Sequence, residues 1–111
     1  MSRFSITNGK GFHLTFANEW TISVQWGPGN HCEREKENWN APNKSSFWNS
    51  DSAEIAVWKA DSEQSFVPLQ YDAVEGWCTT DKVAKMITIV SHAKSTISNK
   101  QMSNKLKRVW R

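Results

Sequence analysis

Three histidines and two cysteines are the residues that could form a zinc site or a pair of nucleophile and base. His31 and Cys32 are adjacent, and Cys78 and His92 follow much later. Imidazole and thiolate groups are the ligands that zinc prefers, so these four residues make a zinc protein one alternative. However, no C-x2-C or H-x3-H spacing accompanies them, and adjacent ligands rarely both reach one metal. We therefore expect no metal and no cofactor, with Cys78 a small buried hydrophobe and Cys32 a loop thiol.

The residues that could catalyse a reaction also lack a recognisable arrangement. A pairing of Cys32 with a histidine comes without a nucleophile elbow or other catalytic signature. The carboxylates Glu54, Asp72 and Glu75 show no paired spacing that favours general acid–base work. The pattern predicts a protein that is not an enzyme, and a small enzyme stays an alternative beside the zinc protein.

Tryptophan is unusually frequent, with seven in 111 residues. Trp20 and Trp26 share the apolar face of a predicted hairpin, which favours a place in the core. Other indoles lie in polar loops or on the opposite face, where a ring and its N–H suit a flat ligand or an interface hot spot. The predicted ligand- or partner-binding residues are Asn30, His31, Trp39, Trp48, Trp58 and Trp77. In the alternative, the loop folds back and its indoles cap the second face of the sheet.

The charges are unevenly distributed. Residues 94–111 carry six Lys or Arg and no acid, whereas the other 93 residues carry a net charge of −3, giving +3 for the whole chain. Cations beside an aromatic ring suit phosphates and stacked bases, so this tail makes a nucleic-acid-binding accessory protein the alternative function. A solvated helix end has the same composition. The residues concerned are Lys100, Lys105, Lys107, Arg108, Trp110 and Arg111.

The length of the chain predicts one domain. We expect residues 1–93 to form it and residues 94–111 to be a basic C-terminal extension. The apolar runs are too short to cross a membrane, and the first residues lack the apolar core of a secretory signal. The sequence therefore predicts a cytoplasmic protein that does not associate with membranes.

Alternating apolar residues indicate strands in the first half of the chain. Residues 11–26 predict an antiparallel hairpin with a two-residue turn at Asn18 and Glu19, where Asn18 would take the positive φ. Residues 52–59 predict a third strand. Residues 65–69 predict a fourth, which Pro68 would confine to an edge of the sheet.

A helix follows at about residues 80–93. Thr79 to Asp81 offer an N-cap and an acid in the first turn, and Val83, Met86, Ile87 and Val90 recur at helical spacing. The pattern predicts an α+β fold in which a small antiparallel sheet of three or four strands is packed by this helix. The basic tail would form a second helix or a loose arm.

Residues 10–32 resemble small uncharacterised proteins of bacteriophages and prophages. Those proteins carry a similar Phe…Asn-x-Trp-Thr…Ser-Val-x-x-Gly-Pro-Gly-Asn stretch, and residues 53–58 and 76–84 fit the same layout. Glu19 stands where such proteins often have Gly. The resemblance implies a phage protein in the cytoplasm of a host bacterium. It implies a non-enzymatic binding protein that captures a host protein or a small signalling molecule, for example to inhibit a host defence system.

Overall fold

A computed structural model describes residues 2–7, 10–33, 36, 49–59 and 65–110 of the chain. The elements in these ranges are, in order, β1 (Arg3–Ile6), β2 (Gly11–Thr15), β3 (Trp20–Gln25), β4 (Ser52–Lys59), β5 (Glu75–Thr79), α1 (Thr80–His92), α2 (Asn99–Leu106) and a 3₁₀-helix (Lys107–Trp110). The protein is a small α+β fold, as the alternation and the helical spacing predicted.

The described strands form one antiparallel sheet in chain order, β1-β2-β3-β4-β5. The predicted count of three or four strands was wrong, because the sheet has five. Two strands lack the alternation that marks β2, β3 and β4. β1 is only four residues long, and β5 contains a glycine and an irregularity in its pairing. Both form because a neighbouring strand supplies their hydrogen-bond partners.

The segment at residues 65–69 is not a strand, contrary to the prediction. Val67 donates one backbone hydrogen bond to the carbonyl oxygen of Val57 at 2.8 Å. Pro68, the next residue, has no N–H to donate, so the pairing along β4 does not extend. Val67 and Leu69 are nevertheless buried in the core.

The turn of the β2–β3 hairpin differs from the predicted one. Glu19, and not Asn18, has the positive φ, at 73°. Asn18 instead joins the hairpin to the end of α1. Its Nδ2 donates to the carbonyl oxygens of Val90 and Ala93, each at 2.8 Å, and its Oδ1 accepts the N–H of Trp20 at 3.0 Å.

α1 begins and ends close to the predicted residues. The Thr79 side chain caps it by accepting the N–H of Lys82, and Asp81 places an acid in the first turn. Met86 and Val90 are fully buried against the sheet. α1 packs on β3, β4 and β5, so the helical layer covers this side of the sheet.

The basic tail forms the second helix that the sequence left as one of two possibilities. A capping box between Ser98 and Gln101 begins α2. Met102 and Leu106 lie in the same core as Ile22 of β3. Residues that we predicted as an extension thus contribute to the main core. None of the helices in the described ranges is both long and apolar enough to span a membrane.

The two faces of the sheet have different surroundings. Trp20, Ile22 and Val24 of β3 face the helices and are almost entirely buried. Thr21 and Ser23 alternate with them on the opposite face and are buried as well. The candidate site lies where β4 pairs with β5, at the edge of the sheet opposite β1.

Candidate binding site

A β-bulge interrupts the pairing of β4 with β5. The register shifts between Ala53 and Ile55, so that Gly76 and Trp77 together face Glu54. Such a bulge bends its strand and re-aims a side chain. Trp77 takes a φ of 50°, a conformation that bulky residues rarely adopt. The indole of Trp77 is 56% exposed, although it comes from a strand whose next residue lies in the core.

His31 lies against this bulge. Its carbonyl oxygen accepts the N–H of Trp77 at 2.8 Å, and its imidazole stacks on the indole with a centroid distance of 5.6 Å and an interplanar angle of 26°. Gly76 permits the contact, because a Cβ there would lie 2.5 Å from the Cβ of His31. The sequence therefore needs Gly at this position for His31 and Trp77 to stack.

Glu54 holds the loop that carries His31. Its carboxylate accepts the backbone N–H of His31 at 2.9 Å and the Nδ2 of Asn30 at 3.2 Å. The Nε2 of His31 lies 3.9 Å from the same carboxylate, close enough for an ion pair when the imidazole is protonated. Asn30 is buried, and its Oδ1 has no hydrogen-bond partner within the described part of the chain. We name Asn30, His31, Glu54, Gly76 and Trp77 the bulge site.

The bulge site joins three of the six predicted binding residues, namely Asn30, His31 and Trp77. Glu54 and Gly76 were missed as site residues. The sequence holds a weak signal for Gly76 alone, since a glycine within a strand often marks a bulge or a close backbone approach. Their contact with His31 depends on a pairing between strands that are distant in sequence.

Trp58 follows Glu54 along β4, on the same face of the strand. It is buried, with its indole stacked on Phe66 at 5.2 Å and in edge contact with His13 at 5.0 Å. A small cavity beside it, about 190 Å³, is lined partly by Ser23, Gln25 and Glu54. The structure thus gives Trp58 an internal packing role. The predicted binding residues Trp39 and Trp48 lie outside the described residues.

The two thiols are enclosed. Burial, with a smaller contribution from Glu75, raises the pKa of Cys78 to about 12, and Lys82 opposes this only in part. Cys78 is therefore a protonated thiol at neutral pH. The Sγ of Cys32 is buried and accepts the N–H of Gly27 at 3.3 Å.

The residues of the zinc alternative have other contacts. The Nδ1 of His92 lies 2.9 Å from the carbonyl oxygen of Thr88, one turn earlier in α1. Within the ranges that the structure describes, no three His, Cys, Asp or Glu side chains come together as a metal site would require.

The cations of the tail meet α1 along a groove. Two adjoining clefts share Thr88, Ile89 and Arg108, and Lys85 and Lys105 line one cleft each. Lys100 and Lys107 are exposed, whereas Trp110 is partly buried with the Nζ of Lys82 5.9 Å from its ring. Arg111 lies outside the described residues. The groove has an apolar floor and a cationic rim.

Another cavity, about 400 Å³, lies between the sheet and α1. Phe12 and Trp26, in edge contact at 6.2 Å, form part of its wall, and Val83 and Ile87 of α1 form another part. Trp26, predicted as a core residue, is partly exposed here. The polar residues that line this cavity include Ser52 and Thr80.

The bulge site thus presents an exposed indole and an imidazole on a backbone held by hydrogen bonds. Comparison of the chain with protein-family models, curated proteins and solved structures finds no match.

Proposed function

We propose that this protein is a non-catalytic binding protein that captures its partner at the bulge site. The observation that carries the proposal is the conformation of Trp77. A bulky residue with positive φ costs free energy, and such strain persists only where the surrounding structure imposes it. Core packing does not account for it, because more than half of the side chain is exposed. Contact between the exposed indole and another molecule would explain why the strained conformation is kept.

The chemistry of the bulge site suits a flat group on the partner. The indole offers a π-face and one N–H donor, and tryptophan is among the residue types enriched at interface hot spots. The imidazole of His31 adds a second ring beside it. A partner that presents an aromatic ring, a guanidinium group or a heterocyclic base matches this surface. Host proteins and small signalling molecules both supply such groups.

The same contacts support binding rather than catalysis. Glu54 accepts the backbone N–H of His31 and so positions the loop. The 3.9 Å between its carboxylate and the imidazole is longer than the hydrogen bond of a catalytic pair. Cys78, two residues from Gly76, is held protonated by burial. We therefore propose that these groups serve to position the rings.

The resemblance to phage proteins suggests in which cell the partner is found. A phage protein that binds a host component in the bacterial cytoplasm inhibits it by occupying its contact surface. We propose that the partner belongs to a host defence system. Such inhibition needs a preformed surface and no chemistry.

The experiment that tests this function is affinity capture from a bacterial lysate. The tagged wild-type protein, Trp77→Ala and Tyr71→Ala are compared. Tyr71 is an exposed aromatic residue outside the bulge site, so its variant is the matched control. We expect the wild type and Tyr71→Ala to retain the same component and Trp77→Ala to lose it. Equal capture by all three would contradict the proposal.

A second measurement covers a small-molecule partner. Titration with a panel of nucleotides is followed by tryptophan fluorescence, because a base stacked on Trp77 changes the emission of an exposed indole. The change should be absent in Trp77→Ala and present in Tyr71→Ala. A response that survives Trp77→Ala places the ligand at another site.

The groove between α1 and the C-terminal helix supports the nucleic-acid alternative. Lys85, Lys105 and Arg108 line it without an acid among its lining residues. Deleting the tail is a poor test, because Met102 and Leu106 lie in the core.

Retention on heparin and on DNA in rising salt tests this alternative. Arg108→Ala should elute earlier and lower the salt dependence by about one phosphate contact. Lys36→Ala, which removes an exposed cation outside the groove, is the control. Identical elution of Arg108→Ala and Lys36→Ala would remove the alternative.

A further inference from the structure

β1 forms an edge of the sheet and, among the described residues, pairs only with β2. The N–H of Thr7, just after β1, donates to the carbonyl oxygen of Gly11 at 3.1 Å, so the backbone groups of Thr7 point toward β2. Backbone groups alternate in direction along a strand. The N–H and C=O groups of Phe4 and Ile6 therefore point outward from the sheet.

The side chains of the same two residues are exposed. Phe4 is 87% and Ile6 is 84% exposed, and both share the helix-covered face because they pair with Leu14 and Phe12. α1 packs on β3, β4 and β5 and leaves this edge uncovered. An edge strand with apolar side chains is a template for pairing with another strand. β1 has neither a proline nor a lysine, and its one charged residue, Arg3, is the first of the strand.

We propose that two copies of the protein pair through β1. The strands run antiparallel about a twofold axis at Ser5, so that Ser5 faces Ser5 of the second copy. Phe4 then lies opposite Ile6 of the second copy on both sides of the axis. Paired residues share a face, so all four apolar side chains meet on the helix-covered face. The two sheets of five strands become one continuous sheet.

The outward backbone groups fit this register. Phe4 and Ile6 have their N–H and C=O groups directed to the second copy, and each opposite pair exchanges both hydrogen bonds. Ser5 has its backbone groups directed to β2, so it occupies the non-hydrogen-bonded position on the axis. Hydrogen bonding and side-chain packing thus select the same alignment.

A second copy is the occupant because β1 is complementary to itself. The order apolar, polar, apolar at residues 4–6 reads the same in both directions, which is what a twofold interface requires. The charge of the strand is also compatible. Arg3 lies opposite Thr7 of the second copy, and the two arginines lie at opposite ends of the interface, which avoids the repulsion of directly paired like charges.

Sedimentation equilibrium of the full chain over a dilution series tests the pairing. We expect a mass of twice 12.7 kDa that falls to 12.7 kDa on dilution. Ile6→Pro removes an outward N–H and leaves the hydrogen bonds to β2 in place. It should raise the dimer dissociation constant about tenfold or more. Tyr71→Ala, equally exposed elsewhere, should leave it unchanged.

A wild-type protein that stays monomeric at every concentration would overturn the proposal. So would an Ile6→Pro variant that dimerises as tightly as the wild type. A monomer that binds an extended peptide from another protein would assign the edge to a different occupant and would overturn it as well.

Cysteine cross-linking tests the register. Non-hydrogen-bonded antiparallel neighbours have Cα atoms about 4.5 Å apart, a separation that a disulfide bridges. Ser5→Cys should therefore give a covalent dimer on mild oxidation, visible on a non-reducing gel. Arg3→Cys should not, because its copies lie far apart; the native thiols Cys32 and Cys78 are buried. Cross-linking by Arg3→Cys instead, or by neither variant, would overturn the register.

Discussion

Trp77 donates its backbone N–H to the carbonyl oxygen of His31 at 2.8 Å while the rings of the two residues stack at 5.6 Å. One backbone bond and one ring contact therefore join the loop after β3 to the bulge of β5. The carboxylate of Glu54, on the facing strand, also accepts the backbone N–H of His31. The aromatic surface is consequently built into the sheet before any partner binds, which lowers the entropic cost of association.

Gly76→Ala tests the close approach of His31. The new Cβ would lie 2.5 Å from the His31 Cβ and 2.9 Å from its carbonyl oxygen, so the loop must shift. We expect a loss of about 1–3 kcal/mol in the free energy of unfolding, measured by urea denaturation. In a His31→Gly background the Cβ contact is gone and the loss should be smaller. Strictly additive effects would contradict the contact.

Trp77→Gly tests the backbone strain. Glycine adopts a φ of 50° without steric cost, whereas alanine still has a Cβ and keeps the steric cost of that conformation. Both variants lose the ring contact with His31, so alanine is the matched control. The free energy of unfolding of Trp77→Gly should exceed that of Trp77→Ala by about 1 kcal/mol. A glycine variant less stable than alanine by about 0.5–1 kcal/mol, the cost of glycine in an unstrained strand, would contradict the strain.

Asn18→Ala and Asn18→Asp test the link between the hairpin turn and the end of α1. Alanine removes the hydrogen bonds to Val90, Ala93 and Trp20 and should cost about 1–3 kcal/mol of unfolding free energy. Aspartate should cost more, because it cannot donate and places a negative charge at the negative end of the helix dipole. Thermal or urea unfolding compares the two. An aspartate variant as stable as the wild type would refute this role.

Cys78 predicts a pH dependence of stability. Its pKa is about 12 in the folded protein and about 9.0 when exposed, so above pH 9 the unfolded chain loses a proton that the folded protein keeps. The free energy of unfolding should therefore fall as the pH rises from about 9 to 12, by at most about 1.4 kcal/mol per pH unit from this group. Below pH 9 the group contributes no slope.

Cys78→Ala is the control for that measurement, because it removes the thiol and leaves the other titrating groups. The difference in unfolding free energy between the wild type and Cys78→Ala should be constant below pH 9 and should shift in favour of the variant above it. Parallel curves across this range would contradict the raised pKa.

Local patterns identified the elements whose signal lies within one segment. The alternation in β2, β3 and β4 arises because one face of these strands packs against the helices. The spacing of Met86 and Val90 arises because one side of α1 is buried. The residues of the site were harder to identify. Asn30, His31 and Trp77 stood out by type, whereas Trp58 did so as well and is buried under Phe66. Residue type alone does not distinguish an exposed indole from one covered by a distant segment.

The sequence by itself determined the α+β class, the hairpin and the cap of α1, because propensity, alternation and capping act over a few neighbouring residues. Only the tertiary structure decided that Gly76 and Trp77 bulge against Glu54 and that His31 stacks there. It also decided that β1 becomes an edge strand with Phe4 and Ile6 exposed. These features depend on which strands become neighbours, and that choice is made by burial of the whole core rather than by any single segment.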